Sequence, residues 1–413
     1  MKVFKFGGAS VKDAQSIKNI GSILSNYAND KLVVVVSAMG KMTNAFEWLI
    51  NSYCYSPLKV TEALNEIVDF HNEILWELFP DKGHIVYVEI NELIYQLEQV
   101  LEDYEDYDKA YDSIVGFGEL ISTTIISNYL NETGVANEWL DVRKVIQTNS
   151  EYRQAKIDWE KTEELIGKAE YKSIVVTQGF IGSDSENNMT TLGREGSDFS
   201  AAIFGYCLNA EDVTIWKDVP GVLNADPKHY PEATKIDKMS YREAIELSYY
   251  GATVIHPKTI KPLENKEIPL YVKSFLNPQA EGTIVQKLTE FDDLQPSYIF
   301  IEDQILVSIS PKDFSFIAED NMSFIFAALS AAKLKVNLVQ NSALSLSLCF
   351  KNEEKKVKKF FESIKKSFLL KYNENVTLLT IRHYSEEVIA SMTNNKQIYL
   401  EQKSRNTARF ILK

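Results

Sequence analysis

The first ten residues of the chain contain Lys5, Gly7 and Gly8 directly after a short apolar segment. The pattern predicts a buried strand over residues 1–6 and a helix over residues 13–24. Glycines without side chains let an anion reach the backbone N–H groups, and a helix N-terminus favours negative charge. The lysine adds a full positive charge, so the segment is typical of a nucleotide phosphate site. A strand–glycine–helix turn that serves packing alone is the open alternative.

Two common nucleotide-binding motifs are absent from the sequence. No G-x-x-x-x-G-K-[ST] motif occurs, and Gly116 and Gly118 lack the third glycine of a dinucleotide fingerprint. The sequence therefore disfavours a P-loop ATPase and a Rossmann dehydrogenase. Other polar segments follow or open strand-like runs, namely residues 36–44, 118–120, 193–198 and 216–222.

The composition fits a protein of two or three domains. The chain has 413 residues, of which 45% are hydrophobic, enough for a core in each domain. Its formal net charge of −14 disfavours general affinity for nucleic acid or an anionic membrane. Three cysteines and five histidines give neither a disulfide framework nor zinc-ligand spacing. The apolar runs are too short to cross a bilayer and the amino end is predicted to be a strand, so we expect a cytoplasmic protein.

Strands and helices alternate through about residue 285, which predicts an α/β fold with a largely parallel sheet covered on both faces. Such sheets bind ligands at the carboxyl ends of their strands, where all the polar segments above are expected to meet. A helical insertion over residues 57–111 either caps the site or serves packing only. The predicted strands of the sheet cover residues 3–6, 32–37, 173–177, 213–217 and 270–274.

The pattern changes at residues 291–297, where acidic residues and Pro296 interrupt the periodicity. A β-α-β-β-α order follows, and a second round begins at Val376 and stops after two further strands. The predicted strands of this region cover residues 305–310, 336–341, 344–350, 398–402 and 408–412, and its helices cover residues 321–332, 353–368 and 386–392.

Five motifs in this order resemble the aspartokinase family: K-F-G-G-x-S-V, V-S-A-x-x-x-x-T-N, G-R-x-G-S-D, D-V-P-G-V-x-x-x-D-P and Y-G-A-T-V-I-H-P. The resemblance implies an amino acid kinase (carbamate kinase-like) three-layer domain over residues 1–290. It also implies C-terminal α+β ferredoxin-like ACT modules over residues 298–375 and, truncated, 376–413. The implied activity is ATP-dependent phosphorylation of the side-chain carboxylate of L-aspartate, the first step of lysine, threonine and methionine biosynthesis.

Phosphoryl transfer requires positioned reactants and neutralised charge on the transferring group. We assign the neutralising role to Lys5, with backbone donors from Gly7 and Gly8 and a hydroxyl from Ser10. An acceptor carboxylate is already ionised at neutral pH and needs no general base. Asp198 is therefore expected either to hold Lys5 by an ion pair or to cap a helix, and the resemblance favours the active-site role.

Free aspartate needs partners for its α-carboxylate and α-ammonium groups. Arg194 has the planar fork that binds a carboxylate bidentately, and Glu119 has the opposite charge for the ammonium. The alternatives are a surface ion pair between Arg194 and Glu195, and a favourable first-turn position for Glu119 in a helix. The resemblance adds hydrogen-bonding substrate contacts from Ser37, Thr43 and Ser197.

The resemblance also assigns a nucleotide site, with ATP as co-substrate. Mg²⁺ is expected to neutralise the phosphates, although no protein ligand is assigned to it. Asp218 is expected to accept hydrogen bonds from the ribose hydroxyls. The positions that match ATP-contacting residues are Lys217, Asp218, Leu223, Lys228, Thr253 and Val254.

Some residues depart from the family pattern. Ala9 replaces a threonine, Glu195 replaces a glycine, and Leu223 replaces a tyrosine. Thr253 stands where a phosphate-contacting lysine is common, and we expect Lys217 or Lys258 to supply the missing charge.

The ACT modules imply a homodimer or higher homo-oligomer. The loop over residues 312–321 has no glycine, and Asn337 replaces an effector-pairing aspartate, so we expect weak or absent feedback by lysine. Two other functions stay open: a catalytically weak amino-acid-sensing regulatory subunit of the same fold, and a kinase of another small carboxylate such as glutamate.

Overall fold

The computed structural model of the protein describes residues 1–101, 106–171, 173–252, 255–287, 295–313 and 315–413. It divides into two compact units. The segments of the first unit are Met1–Val222, Lys235–Ile245 and Val254–Thr289, and those of the second are Leu223–Thr234, Glu246–Thr253 and Glu290–Lys413.

The strands of the first unit are β1 (Lys2–Phe6), β2 (Leu32–Val36), β3 (Asn137–Leu140), β4 (Ile174–Gln178), β5 (Ile181–Ser183), β6 (Met189–Thr191), β7 (Asp212–Lys217), β8 (Lys238–Ser240), β9 (Leu270–Ser274) and β10 (Thr283–Gln286). Among the described residues, eight of these strands form one sheet in the order β3-β4-β2-β1-β7-β9-β10-β8. All neighbours pair in parallel except β9 and β10. The short strands β5 and β6 form a separate antiparallel pair.

The helices that accompany this sheet are α1 (Ala14–Ser25), α2 (Met42–Tyr55), α3 (Val60–Leu78), α4 (Ile85–Leu101), α5 (Tyr107–Val115), α6 (Phe117–Glu132), α7 (Trp159–Lys168), α8 (Gly196–Cys207), α9 (Tyr241–Tyr249, divided between the two units) and α10 (Pro257–Asn265). Short 3₁₀ turns cover Gly8–Val11, Pro57–Lys59 and Val142–Lys144. Every residue of β2 and β4 is buried, so both faces of the sheet centre are covered. This confirms the predicted α/β class.

The helical insertion predicted over residues 57–111 contains α3, α4 and part of α5, with residues 102–105 outside the described residues. Its helices form because apolar side chains recur at helical spacing; Ile67, Ile74 and Leu75 of α3 are all buried. In this bundle α3 packs against α2, α4 packs against α6, and α5 packs against both α2 and β6.

The second unit contains strands β11 (Ser297–Pro311), β12 (Val336–Asn341), β13 (Leu346–Lys351), β14 (Phe368–Arg382), β15 (Ile398–Lys403) and β16 (Thr407–Leu412), and helices α11 (Glu319–Ala331), α12 (Glu354–Ile364) and α13 (Glu386–Thr393). Its strands form an antiparallel sheet in the order β12-β13-β11-β14-β16-β15. This confirms the α+β pattern expected for the C-terminal region. Residues 291–294 of the predicted boundary and residue 314 of the predicted loop lie outside the described residues.

Strand β11 is much longer than the predicted strand over residues 305–310. It begins at Ser297 and crosses the polar residues Glu302 and Asp303, where its pairing with β14 is irregular and Asp303 has φ 54°. Polar residues at that point indicated the end of a strand, but a bulge lets the ladder continue. The first part of β11, Ser297–Ile301, therefore pairs with residues 378–382 of β14, which belong to the second predicted module. In the part of the chain that the structure describes, no helix has the length and apolarity of a membrane span.

Candidate active site

A buried ion pair joins the first strand to helix α8. The Lys5 Nζ lies 2.6 Å from Asp198 Oδ1, and the Lys217 Nζ lies 3.7 Å from Asp198 Oδ2. Lys5 is 8% exposed and Asp198 is 3% exposed. Lys5 is opposite Ile215 in the parallel pairing of β1 with β7, and Lys217 comes two residues after Ile215. Because strand side chains alternate, both lysines project from the same face of the sheet, against which α8 packs.

The charges of this cluster favour an ionised Asp198. Burial by itself would raise the pKa of Asp198, but the ammonium groups of Lys5 and Lys217 outweigh burial and hold its pKa below the usual range. An ionised carboxylate paired with two cations is a poor proton acceptor. Asp198 fixes the positions of two lysines at the carboxyl edge of the sheet, while Glu195 occupies the N-cap position of α8.

The glycine turn after β1 touches the turn after β2. A Cβ at Gly8 would lie 2.7 Å from the Gly40 carbonyl oxygen, and the Gly40 N–H donates to the Gly8 carbonyl at 3.0 Å. A Cβ at Gly7 would lie 3.2 Å from the Lys5 Nζ. Glycines at both positions thus keep two strand ends and one ammonium close together. Ser10 is buried, and its hydroxyl donates to the Trp216 carbonyl at 3.4 Å.

Glu119 lies in the first turn of α6 and is 2% exposed. Its Oε1 accepts the Ala38 N–H at 3.2 Å, whereas its Oε2 is buried and accepts no hydrogen bond from the described residues. Burial raises the pKa of Glu119 to about 8, although the Ala38 N–H and the nearby Lys5 act in the opposite direction. A carboxyl group with one buried, unused oxygen is suited to a ligand that brings hydrogen-bond donors.

The three predicted hydroxyl residues lie on the elements around this cluster. Ser37 directly follows β2, where its N–H donates to the Phe6 carbonyl at 3.1 Å and its carbonyl accepts from Ser122 Oγ at 2.8 Å. Thr43 is half-buried in the first turn of α2, and Ser197 is buried in the first turn of α8.

Arg194 and Glu195 occupy a tight turn before α8. Arg194 is exposed, and no ion pair between the two side chains occurs within the described ranges, so the surface-pair alternative is not observed. Glu195 has φ 53° and ψ 31°, a left-handed conformation that glycine adopts more readily than glutamate. Its Oε2 is buried without a hydrogen-bond partner in the described structure. Burial and the Asp198 carboxylate raise the Glu195 pKa, while Lys217, Arg194 and Lys5 lower it.

The structure describes four of the six residues predicted to contact the nucleotide. Lys217 joins Asp198, and Asp218 is exposed immediately after β7. Leu223 and Lys228 belong to the second unit, where the Lys228 N–H donates to Asp226 Oδ1 in a turn. Thr253 and Val254 lie outside the described residues.

Lys258 is the other lysine expected to supply the missing charge. Lys258 is exposed at the start of α10, where its N–H donates to the capping His256 ring, and it has no described contact with Asp198. Sequence reasoning did not identify Asp112, a buried carboxylate in α5. Its only signal was an acidic residue between Tyr111 and Ile114 on the apolar face of a helix. Among the described residues, no group of three or more His, Cys, Asp or Glu side chains is arranged to hold a metal ion.

The first unit is an α/β domain with a cluster of two lysines and one aspartate at the ends of its central strands. A family model described as the amino acid kinase family matches residues 1–274. Lysine-sensitive aspartokinase 3 of Escherichia coli strain K12 is 33% identical over 357 residues, which cover 84% of this chain and 77% of that protein. The chain belongs to the amino acid kinase family and, within it, to the aspartokinases.

Further comparisons agree with this placement. The solved structure of E. coli aspartokinase III in complex with aspartate and ADP covers 100% of this chain and 96% of its own, with 27% identity and a TM-score of 0.83. Bifunctional aspartokinase/homoserine dehydrogenase 2 of Arabidopsis thaliana is 31% identical over 381 residues, 89% of this chain. The match covers 42% of that relative, so the chain spans about two fifths of the length of such bifunctional proteins. The predicted amino acid kinase fold with C-terminal ACT-like modules is confirmed.

Proposed function

We propose that the protein is an aspartate kinase that transfers the γ-phosphoryl group of ATP to the side-chain carboxylate of L-aspartate. The observation that carries the proposal is the buried Lys5–Asp198–Lys217 cluster beside the unused oxygen of Glu119. The relative from E. coli, whose structure contains aspartate and ADP, supports the same pair of ligands. The product, 4-phospho-L-aspartate, would enter lysine, threonine and methionine biosynthesis.

The two lysines perform the electrostatic part of the reaction. Lys5 neutralises the charge of the transferring phosphoryl group, and Lys217 adds a second cation near the phosphates. Asp198 positions both ammonium groups, and the N–H groups of Gly7 and Gly8 bind phosphate oxygens, with Ser10 supporting the turn. Because the acceptor oxygen is already ionised, no side chain has to remove a proton from it.

Aspartate is bound by charge complementarity at its two ends. Glu119 receives the α-ammonium through its unused Oε2, and Arg194 binds the α-carboxylate. The hydroxyls of Ser37, Thr43 and Ser197 complete the polar contacts. The remaining nucleotide contacts are assigned to Asp218, Leu223, Lys228, Thr253 and Val254.

The site would accept a Mg²⁺ ion together with the nucleotide. The described residues offer no cluster of three potential ligands, but ionised Asp198 places a carboxylate near the cations. This donor set fits a Mg²⁺ ion held mainly by phosphates and water. The ion would supply further charge neutralisation on the β- and γ-phosphates.

The second unit is assigned to assembly as a cytoplasmic homo-oligomer, with weak or absent lysine feedback. The Asn337 Nδ2 donates to the buried Gln304 Oε1 at 2.8 Å, and Arg409 Nη2 donates to the Asn337 carbonyl at 2.7 Å. The amide of Asn337 is thus already used inside the unit, beside a cation. An ammonium-bearing effector would meet repulsion there rather than an aspartate.

The test is ADP release with L-aspartate and L-glutamate as alternative acceptors. Turnover with aspartate is the expected result. Turnover with glutamate alone would identify another carboxylate kinase. Binding of ADP and aspartate without turnover would identify a regulatory subunit, the candidate favoured by the strained carboxylate at Glu195.

A further inference from the structure

Helix α5 connects the elements that carry the proposed aspartate-binding residues. It packs against α2, which begins with Met42 and Thr43, and against β6, which precedes the turn of Arg194. Through Gly116 it continues directly into α6, which carries Glu119. One nine-residue helix therefore touches or joins all three sides of the proposed amino-acid site.

Asp112 is the residue through which α5 holds the Arg194 side. It is 0% exposed, and its carboxylate accepts both the N–H and the hydroxyl of Thr191, each at 2.7 Å. It also accepts the Arg153 N–H, at 3.0 Å to Oδ1 and 2.9 Å to Oδ2. All of these partners are donors, so a carboxylate fits where an amide would present its own N–H groups.

The neighbouring Tyr111 holds the Thr43 side. Its hydroxyl donates to Glu47 Oε1 at 2.5 Å, and Glu47 follows Thr43 by one turn of α2. The Arg153 guanidinium lies over the Tyr111 ring, 4.3 Å from its centroid. Two consecutive residues of α5 thus fix the spacing between α2 and the strand that leads to Arg194.

The Arg194 turn needs external support because its backbone is unfavourable. Gly193 has φ 75° and Glu195 has φ 53°, so Arg194 lies between two left-handed residues. Arg153 has φ 68°, and a Cβ at Gly193 would lie 3.0 Å from its carbonyl oxygen. Left-handed residues persist where surrounding contacts enforce them. The contacts of Asp112 with Thr191 and Arg153 enforce this turn from two directions.

We propose that Asp112 is a positioning residue for aspartate, which acts through Thr191 to place the Arg194 guanidinium at the substrate α-carboxylate. The inference deepens the proposed function and rests on it. It assigns a role to the helical insertion, whose α5 sets the geometry of the amino-acid site. It also predicts that damage to Asp112 affects aspartate far more than the nucleotide.

The experiment compares Asp112→Asn and Thr191→Val with the wild-type full-length protein. Asp112→Asn keeps the shape of the side chain but places an amide NH₂ group opposite the Thr191 and Arg153 donors. The KM for aspartate should therefore rise about 10-fold or more. Thr191→Val removes one donor, and its KM for aspartate should rise about 3-fold. The KM for ATP and kcat should stay within about 2-fold of wild type, since the Lys5 cluster is untouched. Asp69→Asn, at an exposed aspartate of α3 in the same helical insertion, is the matched control and should change nothing.

If Asp112 had a structural role alone, the KM values and thermal stability would change in a different pattern. Loss of thermal stability with an unchanged KM for aspartate, or an equal change in both KM values, would overturn the inference. If Asp112→Asn does not fold, Thr191→Val decides by the same ratio of KM values. Wild-type turnover with aspartate, measured in the same assay, tests the proposed function separately.

Discussion

Two polar clusters, one in each unit, differ in how their buried groups are used. In the first unit, buried carboxylate oxygens of Glu119 and Glu195 have no hydrogen-bond partner among the described residues. In the second unit, buried Gln304 and its neighbours Asn337 and Arg409 use their polar groups on one another. An unpaired buried carboxyl oxygen costs free energy that a ligand can recover, whereas a closed network stabilises the fold. The comparison favours the first unit as the location of the chemistry.

The largest effect is expected when the central cation of the first cluster is removed with Lys5→Met. The loss of charge neutralisation should lower kcat by about 10³-fold, measured as ADP release at saturating substrates. Lys2→Met is the matched control, because Lys2 lies at the opposite end of the same strand and pairs with Asp212 at 2.9 Å. Equal activity of Lys5→Met and wild type would refute the assigned role.

The second prediction concerns the proton on Glu119, whose pKa is raised to about 8 by burial. An ammonium ligand requires the ionised form, so aspartate binding near pH 7 should release a proton and the KM for aspartate should fall as the pH rises to 9. Glu119→Gln should raise that KM about 10-fold or more and abolish its pH dependence. Calorimetry in two buffers of different ionisation enthalpy measures the released proton.

The same raised pKa predicts the sign of a stability change. The folded state keeps a proton that the unfolded chain loses near pH 4.5, so folding stability should decline as the pH rises from there through about 8. Glu119→Gln should flatten this decline in urea unfolding. A steeper decline in the variant would show that the buried Glu119 carboxyl group does not cause the pH dependence.

A smaller effect is expected at Glu195. Glu195→Gly removes both a left-handed strain of about 1–2 kcal/mol and a carboxylate near two lysines, so stability should rise and the KM for ATP should fall several-fold. Glu195→Gln removes the charge and keeps the strain, so it should share the kinetic change alone. An increased KM for ATP in both variants would show that this carboxylate assists the nucleotide instead.

The smallest effect on activity is expected in the second unit. Asn337→Ala removes a hydrogen bond to buried Gln304 and should cost about 1–2 kcal/mol in chemical unfolding, with unchanged kcat. Lysine up to about 1 mM should leave the wild-type activity unchanged, since the Asn337 amide is already hydrogen-bonded to Gln304. Inhibition by sub-millimolar lysine would refute weak feedback.

Local patterns predicted much of this fold because helical and strand periodicities are local. The strand Val336–Asn341 has the predicted bounds, and the predicted strand over residues 270–274 matches β9. The predicted proximity of Lys5 and Asp198 depended on the rule that the carboxyl ends of parallel strands lie at one edge of the sheet. This rule applies even though the two residues are far apart in the sequence. The role of Lys217 as a partner of Asp198 follows from strand register, which the sequence does not display.

Other features had little or no local signal. Asp112 looks like any acidic residue of a helix until the tertiary fold brings Thr191 to it. The left-handed backbone of Glu195 contradicts the preference of its residue type, so only the neighbouring glycines hinted at it. The continuation of β11 through Asp303 was not predicted, because polar residues occur both at a β-bulge and at the end of a strand.

The two fifteen-residue strands β11 and β14 pair with each other along most of their length, and β14 crosses the predicted boundary between the two modules. A protease cut or stop codon near residue 375 would therefore strip the ladder partner from Ser297–Ile301 as well as remove the downstream strands. The C-terminal sheet and its helices should melt in a single transition, and neither module should survive as an excised fragment.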